Sequence, residues 1–133
     1  MNLNLSLMPY RLNSDFAEVA NLASYIDSYN GAKLYKVNQP KLVLENIPIT
    51  DVHLYFLEEK LITVYLHLEN NLDHIETLVK ELTLELGVQG ILTQSQFGLK
   101  HRWQLDNEVL VLVKDQIHRK FYIYYALEKY SVY

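Results

Sequence analysis

The sequence predicts an α+β fold in two layers, a mainly antiparallel sheet with two amphipathic helices on one of its faces. Three observations lead there. Two glycine-stopped segments carry apolar residues at helical spacing, and several short runs alternate apolar and polar residues with period two. The turns between consecutive runs are short enough to imply antiparallel pairing. A length of 133 residues with 50% apolar content is predicted to form a single domain over 1–133, with one core and no need of metal or disulfide staples.

The first helix is predicted over about 15–29. Asn13, Ser14 and Asp15 offer caps, Asp15 and Glu18 have capping-box spacing, and Phe16, Val19, Ala20, Ala23 and Ile26 form a stripe. Asn30-Gly31 supplies the left-handed stop. Two extended pieces follow, Lys33–Val37 and Lys41–Glu45, divided by Pro40, which suits an edge or a broken strand. Ile47-Pro48-Ile49 reads as a connecting loop.

Asp51–Leu57 and Leu61–Leu68 read as a hairpin around Glu58-Glu59-Lys60. With that three-residue loop, one face holds Val52, Leu54, Phe56, Ile62, Val64, Leu66 and Leu68 and belongs to the core. The other face holds His53, Tyr55, Leu57, Leu61, Thr63, Tyr65 and His67 and is amphipathic.

The second helix follows, capped by Asn70 or Asn71 and stopped by Gly87. Its stripe is Leu72, Ile75, Val79, Leu82 and Leu86, widened by Leu78, with Asp73 and Glu76 at its positive end. Val88–Gly98 reads as a loop that can include a short strand at Gly90–Thr93. Strands Leu99–Leu105, Glu108–Lys114 and Lys120–Leu127 close the chain, and Glu128-Lys129-Tyr130 either extends the last strand or starts a helical tail. With Leu3–Leu7 as a leading strand, the order also admits a duplicated β-α-β-β-β unit.

Composition excludes several classes. There is no cysteine, hence no disulfide, thiolate nucleophile or cysteine-based zinc site. Net charge is −4, and residues 1–98 hold 6 basic against 12 acidic side chains, a poor match for a polyphosphate, so no nucleic-acid partner is expected. The opening residues lack a basic n-region and a long apolar run, and no stretch reaches the roughly 18 apolar residues of a membrane span. No membrane association is predicted and the expected location is cytoplasmic, with a leader upstream of Met1 left open.

Chemistry-bearing motifs are sparse. The five histidines include no HExxH, and the glycines are too dispersed for a phosphate-cradling loop. His53 and His67, with Asp51 opposite His67, could reach one metal ion, but two histidines filling a half-wet sheet face explain them better, and neither a metal nor a cofactor is expected. Glu58-Glu59 is a hydrated turn rather than an acid–base pair. Lys100, Arg102 and Lys114, near Tyr122 and Tyr124, read as a solvated edge or a dock for an acidic partner. His101 and Trp103 are the candidates for a ligand pocket.

The eleven tyrosines are the compositional outlier. Tyrosine combines large apolar area with a polar tip and suits half-buried contact surfaces. His53, Tyr55, Tyr65 and His67 are therefore the candidate interaction surface, for a protein partner or for self-association. The sequence favours a small non-catalytic interaction or accessory domain, a homodimer among its forms. Two alternatives stand beside it: a small-ligand binder or enzyme with a pocket between sheet and helices, and an acidic inhibitor or immunity-type protein acting through the second helix and the Glu58-Glu59 turn.

Overall fold

A computed structural model describes residues 8–40, 43–44, 47–69 and 75–133. In chain order the strands are β1 (Ala23–Tyr29), β2 (Ala32–Val37), β3 (Val43–Leu44), β4 (Ile47–Leu57) and β5 (Lys60–Leu68). Helix α1 (Ile75–Leu86) follows, and then β6 (Ile91–Ser95), β7 (Gly98–Gln104), β8 (Glu108–Asp115) and β9 (Lys120–Leu127). Eight strands form one antiparallel sheet in the order β1-β2-β4-β5-β9-β8-β7-β6, and β3 pairs with the first residues of β4. Each half is a meander. The halves meet where β5 pairs with β9, and α1 carries the chain from the middle of the sheet to its far edge.

Helix α1 forms where the apolar spacing is regular, and it buries Leu78, Leu82 and Leu86. They belong to one apolar cluster with Val52, Leu54, Val64, Leu66, Leu110, Leu112 and Ile123, the alternate residues of four strands. Each such side chain contributes roughly 1.5–3 kcal/mol by leaving water. Gly87, at φ 70°, ends the helix as expected. The expected caps Asn70 and Asn71, the first stripe residue Leu72, Asp73 and the leading strand Leu3–Leu7 lie outside the described residues.

The other expected helix is not formed. Residues 15–29 give a 3₁₀ turn at Phe16–Glu18 and then strand β1. Two local causes outweigh the helical stripe. Asn30 and Gly31 both take positive φ, 50° and 86°, which makes them the two-residue turn of a β1–β2 hairpin rather than a helix stop. The cap donors are also used elsewhere: Asn13 N–H donates to the Leu61 carbonyl at 2.8 Å and Phe16 N–H to the Glu59 carbonyl at 2.8 Å. The Asp15 carboxylate makes no cap bond and pairs with Lys60. Among the described residues the sheet thus carries one helix, and the first half lacks the helix a duplicated β-α-β-β-β unit would require.

Three boundaries also differ. Ile47-Pro48-Ile49 opens β4 instead of forming a loop, with Ile47 fully buried. β2 is interior, between β1 and β4, rather than an edge. The short strand expected at Gly90–Thr93 within the Val88–Gly98 loop is β6, shifted to Ile91–Ser95 and paired to β7 through Gln96-Phe97. No helix among the described residues is long and apolar enough to cross a membrane.

The β4–β5 hairpin fixes both sheet faces. Its turn has two residues, not three: Glu58 and Glu59 both adopt positive φ, 51° and 65°. That turn alone would shift the register by one residue and exchange the faces. A bulge corrects it, because Phe56 pairs with Leu61 while Tyr55 pairs with Thr63. Beyond the bulge the expected pairs hold, His53 with Tyr65 and Asp51 with His67. Leu61 is the exception, expected on the amphipathic face but turned into the core at 1% exposure.

Candidate functional site

The face opposite α1 is built by three adjacent strands with one shared parity. Tyr65 of β5 pairs with His53 of β4 on one side and Tyr124 of β9 on the other. One step along, His67 lies between Asp51 and Tyr122. Direct neighbours across a sheet present their side chains to the same side, so the four expected surface residues, His53, Tyr55, Tyr65 and His67, lie together.

Their rings form a continuous array. Tyr65 is its hub, with ring centroids 5.8 Å from Tyr55, 5.0 Å from Tyr124, 5.6 Å from Tyr122 and 6.1 Å from His67. His53 meets His67 edge-on at 5.0 Å, and Tyr29 of β1 extends the array past Tyr55 at 6.3 Å. The chain's own last residues complete it. The Tyr133 ring packs edge-on against Tyr124 at 4.8 Å, its hydroxyl bonds that of Tyr122, and the Val132 N–H donates to the Tyr124 hydroxyl at 3.1 Å. Lys100 Nζ caps the Tyr133 ring 5.1 Å from its centroid. Beneath this strap Val109, Val111, Val113, Tyr124 and Ala126 form a second buried cluster.

Two grooves flank the strap. One, of about 310 Å³, runs between Tyr29, Tyr55, Tyr65, Tyr124, Tyr130 and Val132. The other, of about 390 Å³, lies between Thr93, Phe97, Lys100, Tyr122 and Tyr133, and a separate groove of about 390 Å³ lies between His53, His67, His118, Lys120 and Tyr122.

The array carries little charge. Burial pushes the His67 imidazole down to about 4, and the adjacent His53 adds to the effect. His53 is also held below the usual histidine range by burial, which the nearby Asp51 only partly offsets. Burial raises the phenols of Tyr55, Tyr65 and Tyr122. At neutral pH the surface offers π faces, phenol donors and neutral imidazoles, a chemistry suited to adhesion more than to proton transfer.

The Asp51 carboxylate pairs with Lys36 at 3.1 Å, and the described residues include no cluster of three His, Cys, Asp or Glu arranged to hold an ion. His101 and Trp103 lie on the other side of the sheet, stacked at 4.4 Å. Trp103 is fully buried and its indole N–H donates to Thr83 Oγ1 on α1 at 3.1 Å, so its ring serves the core. Lys114 is separated from Lys100 and Arg102, because it pairs with Leu99 and Phe121 on the helix side while they pair with Val113 and Val111.

Residues missed as members of this face are Tyr122, Tyr124, Tyr29, Tyr133 and His118. The alternation Tyr122, Tyr124 was visible, but only the β5–β9 pairing sets it beside Tyr65. Comparison with known protein families, curated proteins and solved structures finds no match for the chain.

Proposed function

We propose that the chain is a non-catalytic interaction domain that docks a protein partner on its Tyr/His sheet face, in an extended conformation. The observation that carries this reading is the ring array from Tyr29 to Tyr133, which already holds the segment Ser131–Tyr133 through ring packing and the bond from the Val132 N–H to the Tyr124 hydroxyl. A surface that pairs π faces with phenol hydroxyls can bind a strand-like peptide without a charged anchor. Neutral imidazoles and protonated phenols favour the same use.

The test is a selection of displayed peptides on the wild-type chain. Selected peptides should lose at least about tenfold in affinity, roughly 1.4 kcal/mol, against Tyr55→Ser or Tyr65→Ser. They should be unaffected by His101→Ala on the opposite face. Peptides that bind Tyr65→Ser as tightly as wild type refute the assignment.

The groove beside Tyr29, Tyr55 and Tyr130 supports a second reading, a small-ligand binder. Its volume of about 310 Å³ falls at the lower end of ligand-sized cavities. Binding of a small aromatic or sugar-like compound, abolished by Tyr55→Ser and unaffected by peptide, would favour that alternative.

A further inference from the structure

The two outer strands of the sheet differ in how they meet water. An edge strand leaves alternate backbone N–H and C=O groups without a sheet neighbour, and folded chains blunt such edges with charges, prolines or bulges. β1 is blunted: its register with β2 breaks between Tyr25 and Asp27, and it carries the Asp27 carboxylate. β6 has none of these devices. Its sequence, Ile-Leu-Thr-Gln-Ser, contains no charge and no proline, and its register with β7 runs unbroken from Ile91 to Ser95. All five residues are exposed, Ile91 at 68% and Leu92 at 51%.

We propose that β6 is a self-association edge, pairing antiparallel with β6 of a second copy about a twofold axis at Thr93. Identical strands meet isologously when they run antiparallel, and a five-residue strand makes the most pairs when its middle residue lies on the axis. Thr93 then faces Thr93 of the other copy, Leu92 faces Gln94, and Ile91 faces Ser95. The two Leu92 side chains become diagonal neighbours and cover each other. A threonine pair at the centre is itself favourable in antiparallel sheet.

The local charges permit the approach. Lys100 and Arg102 on β7 share the side of the sheet on which Thr93 and Ile91 lie. Lys100 is drawn toward the middle of the sheet by the Tyr133 ring, 5.1 Å from its Nζ, and so away from the proposed seam.

The pairing has a consequence for the docking face. Because Thr93 meets Thr93 on one side of the joined sheet, the Tyr/His faces of both copies look the same way and both α1 helices lie behind. The dimer would present two docking faces side by side, which raises avidity for a partner carrying two copies of the docking segment. The edge assignment itself stands apart from the docking proposal, since no residue of the ring array takes part in it.

Sedimentation of the full chain tests it directly. At about 100 µM the expected mass is twice the 15.7 kDa of one chain, falling to a single chain for Thr93→Lys and staying doubled for Thr93→Val. A wild-type monomer at that concentration, or a dimer indifferent to Thr93→Lys, overturns the proposal. The chain has no cysteine, so single thiols report the register. Across an antiparallel pair the Thr93 Cα atoms would be roughly 4.5–5.5 Å apart, within disulfide range, whereas the two Ile91 positions would be roughly 14 Å apart. Thr93→Cys should oxidise to a covalent dimer and Ile91→Cys should not; equal cross-linking of the two overturns the register. Tyr65→Ser should leave the doubled mass intact. Loss of the dimer in that variant instead would move the self-contact to the Tyr/His face and refute the β6 assignment.

Discussion

Acid should weaken this fold through His67 in particular, and the size of the effect follows from where the ring lies. His67 is half-buried between Tyr65 and Tyr122, with His53 5.0 Å away, Asp51 opposite, and Lys36 and Lys120 at the rim. Its pKa falls to about 4 when folded, from an ordinary value near 6.5, because burial and the neighbouring imidazole both oppose its charge. Between those two values the unfolded chain binds the proton and the folded chain does not, so stability rises with pH across the window. It is complete above about pH 6.5 and is lost progressively as pH falls toward 4. At pH 5 the full shift corresponds to roughly 2 kcal/mol, and solvent screening of the half-exposed ring reduces it to about 1 kcal/mol. Guanidinium unfolding at pH 7 and pH 5, compared between wild type and His67→Gln, isolates that difference from the carboxylates common to both. The imidazole proton signal gives the midpoint independently. A midpoint at or above 6.5, or identical pH slopes for the two proteins, would refute the burial argument.

Three further outcomes follow from particular contacts. Replacing Glu58→Asn and Glu59→Gly together should stabilise the fold by about 1 kcal/mol, and raise Tm by roughly 3–6 °C, because both glutamates occupy left-handed backbone that Asn-Gly adopts at little cost. An unchanged or lowered Tm would mean that the turn is not strained. Gly90→Ala should destabilise by about 1–3 kcal/mol, since its methyl group would come within 2.4 Å of the His101 ring and 2.8 Å of the Trp103 indole nitrogen; thermal melts measure it. Tyr133→Ala should cost about 1–2 kcal/mol and raise the acetylation rate of the Tyr122 and Tyr124 hydroxyls, each of which bonds the strap, as read by mass spectrometry of modified peptides.

The hairpin was legible in the sequence because period two survives local errors. Val52, Leu54, Phe56, Val64 and Leu66 alternate strictly, and burial of one face holds the register tightly enough that the bulge at Leu61–Ile62 absorbs a shorter turn than expected. Helix α1 was legible for a similar reason, a regular stripe that ends on a glycine. The first helix failed because Asn30-Gly31 is ambiguous, serving equally as a helix stop and as a hairpin turn. Ser24, Tyr25, Ile26 and Tyr29 leaned toward strand, and the β2 edge made that choice available. The strand order was hidden altogether. Nothing near Tyr124 in sequence indicates that it will lie beside Tyr65, so four of the expected surface residues were found and the rings that join them into one array were not.

Among the described residues a single helix serves a wide sheet, which leaves an unequal problem on its two sides. On one side α1 closes the core with Leu78, Leu82 and Leu86. On the other, Val109, Val111 and Val113 lie in the middle of the sheet, where exposed valine would be costly. The chain covers them with its own Tyr133, and flanks them with Tyr65 and Tyr122, side chains that can meet water and apolar matter at once. The tyrosine excess and the ring array therefore have one physical origin. A helix over this side would have demanded aliphatic residues in place of the phenols. Phenols can be stable here only at positions that keep a polar tip within reach of solvent or of another hydroxyl, as the Tyr122 hydroxyl is of that of Tyr133.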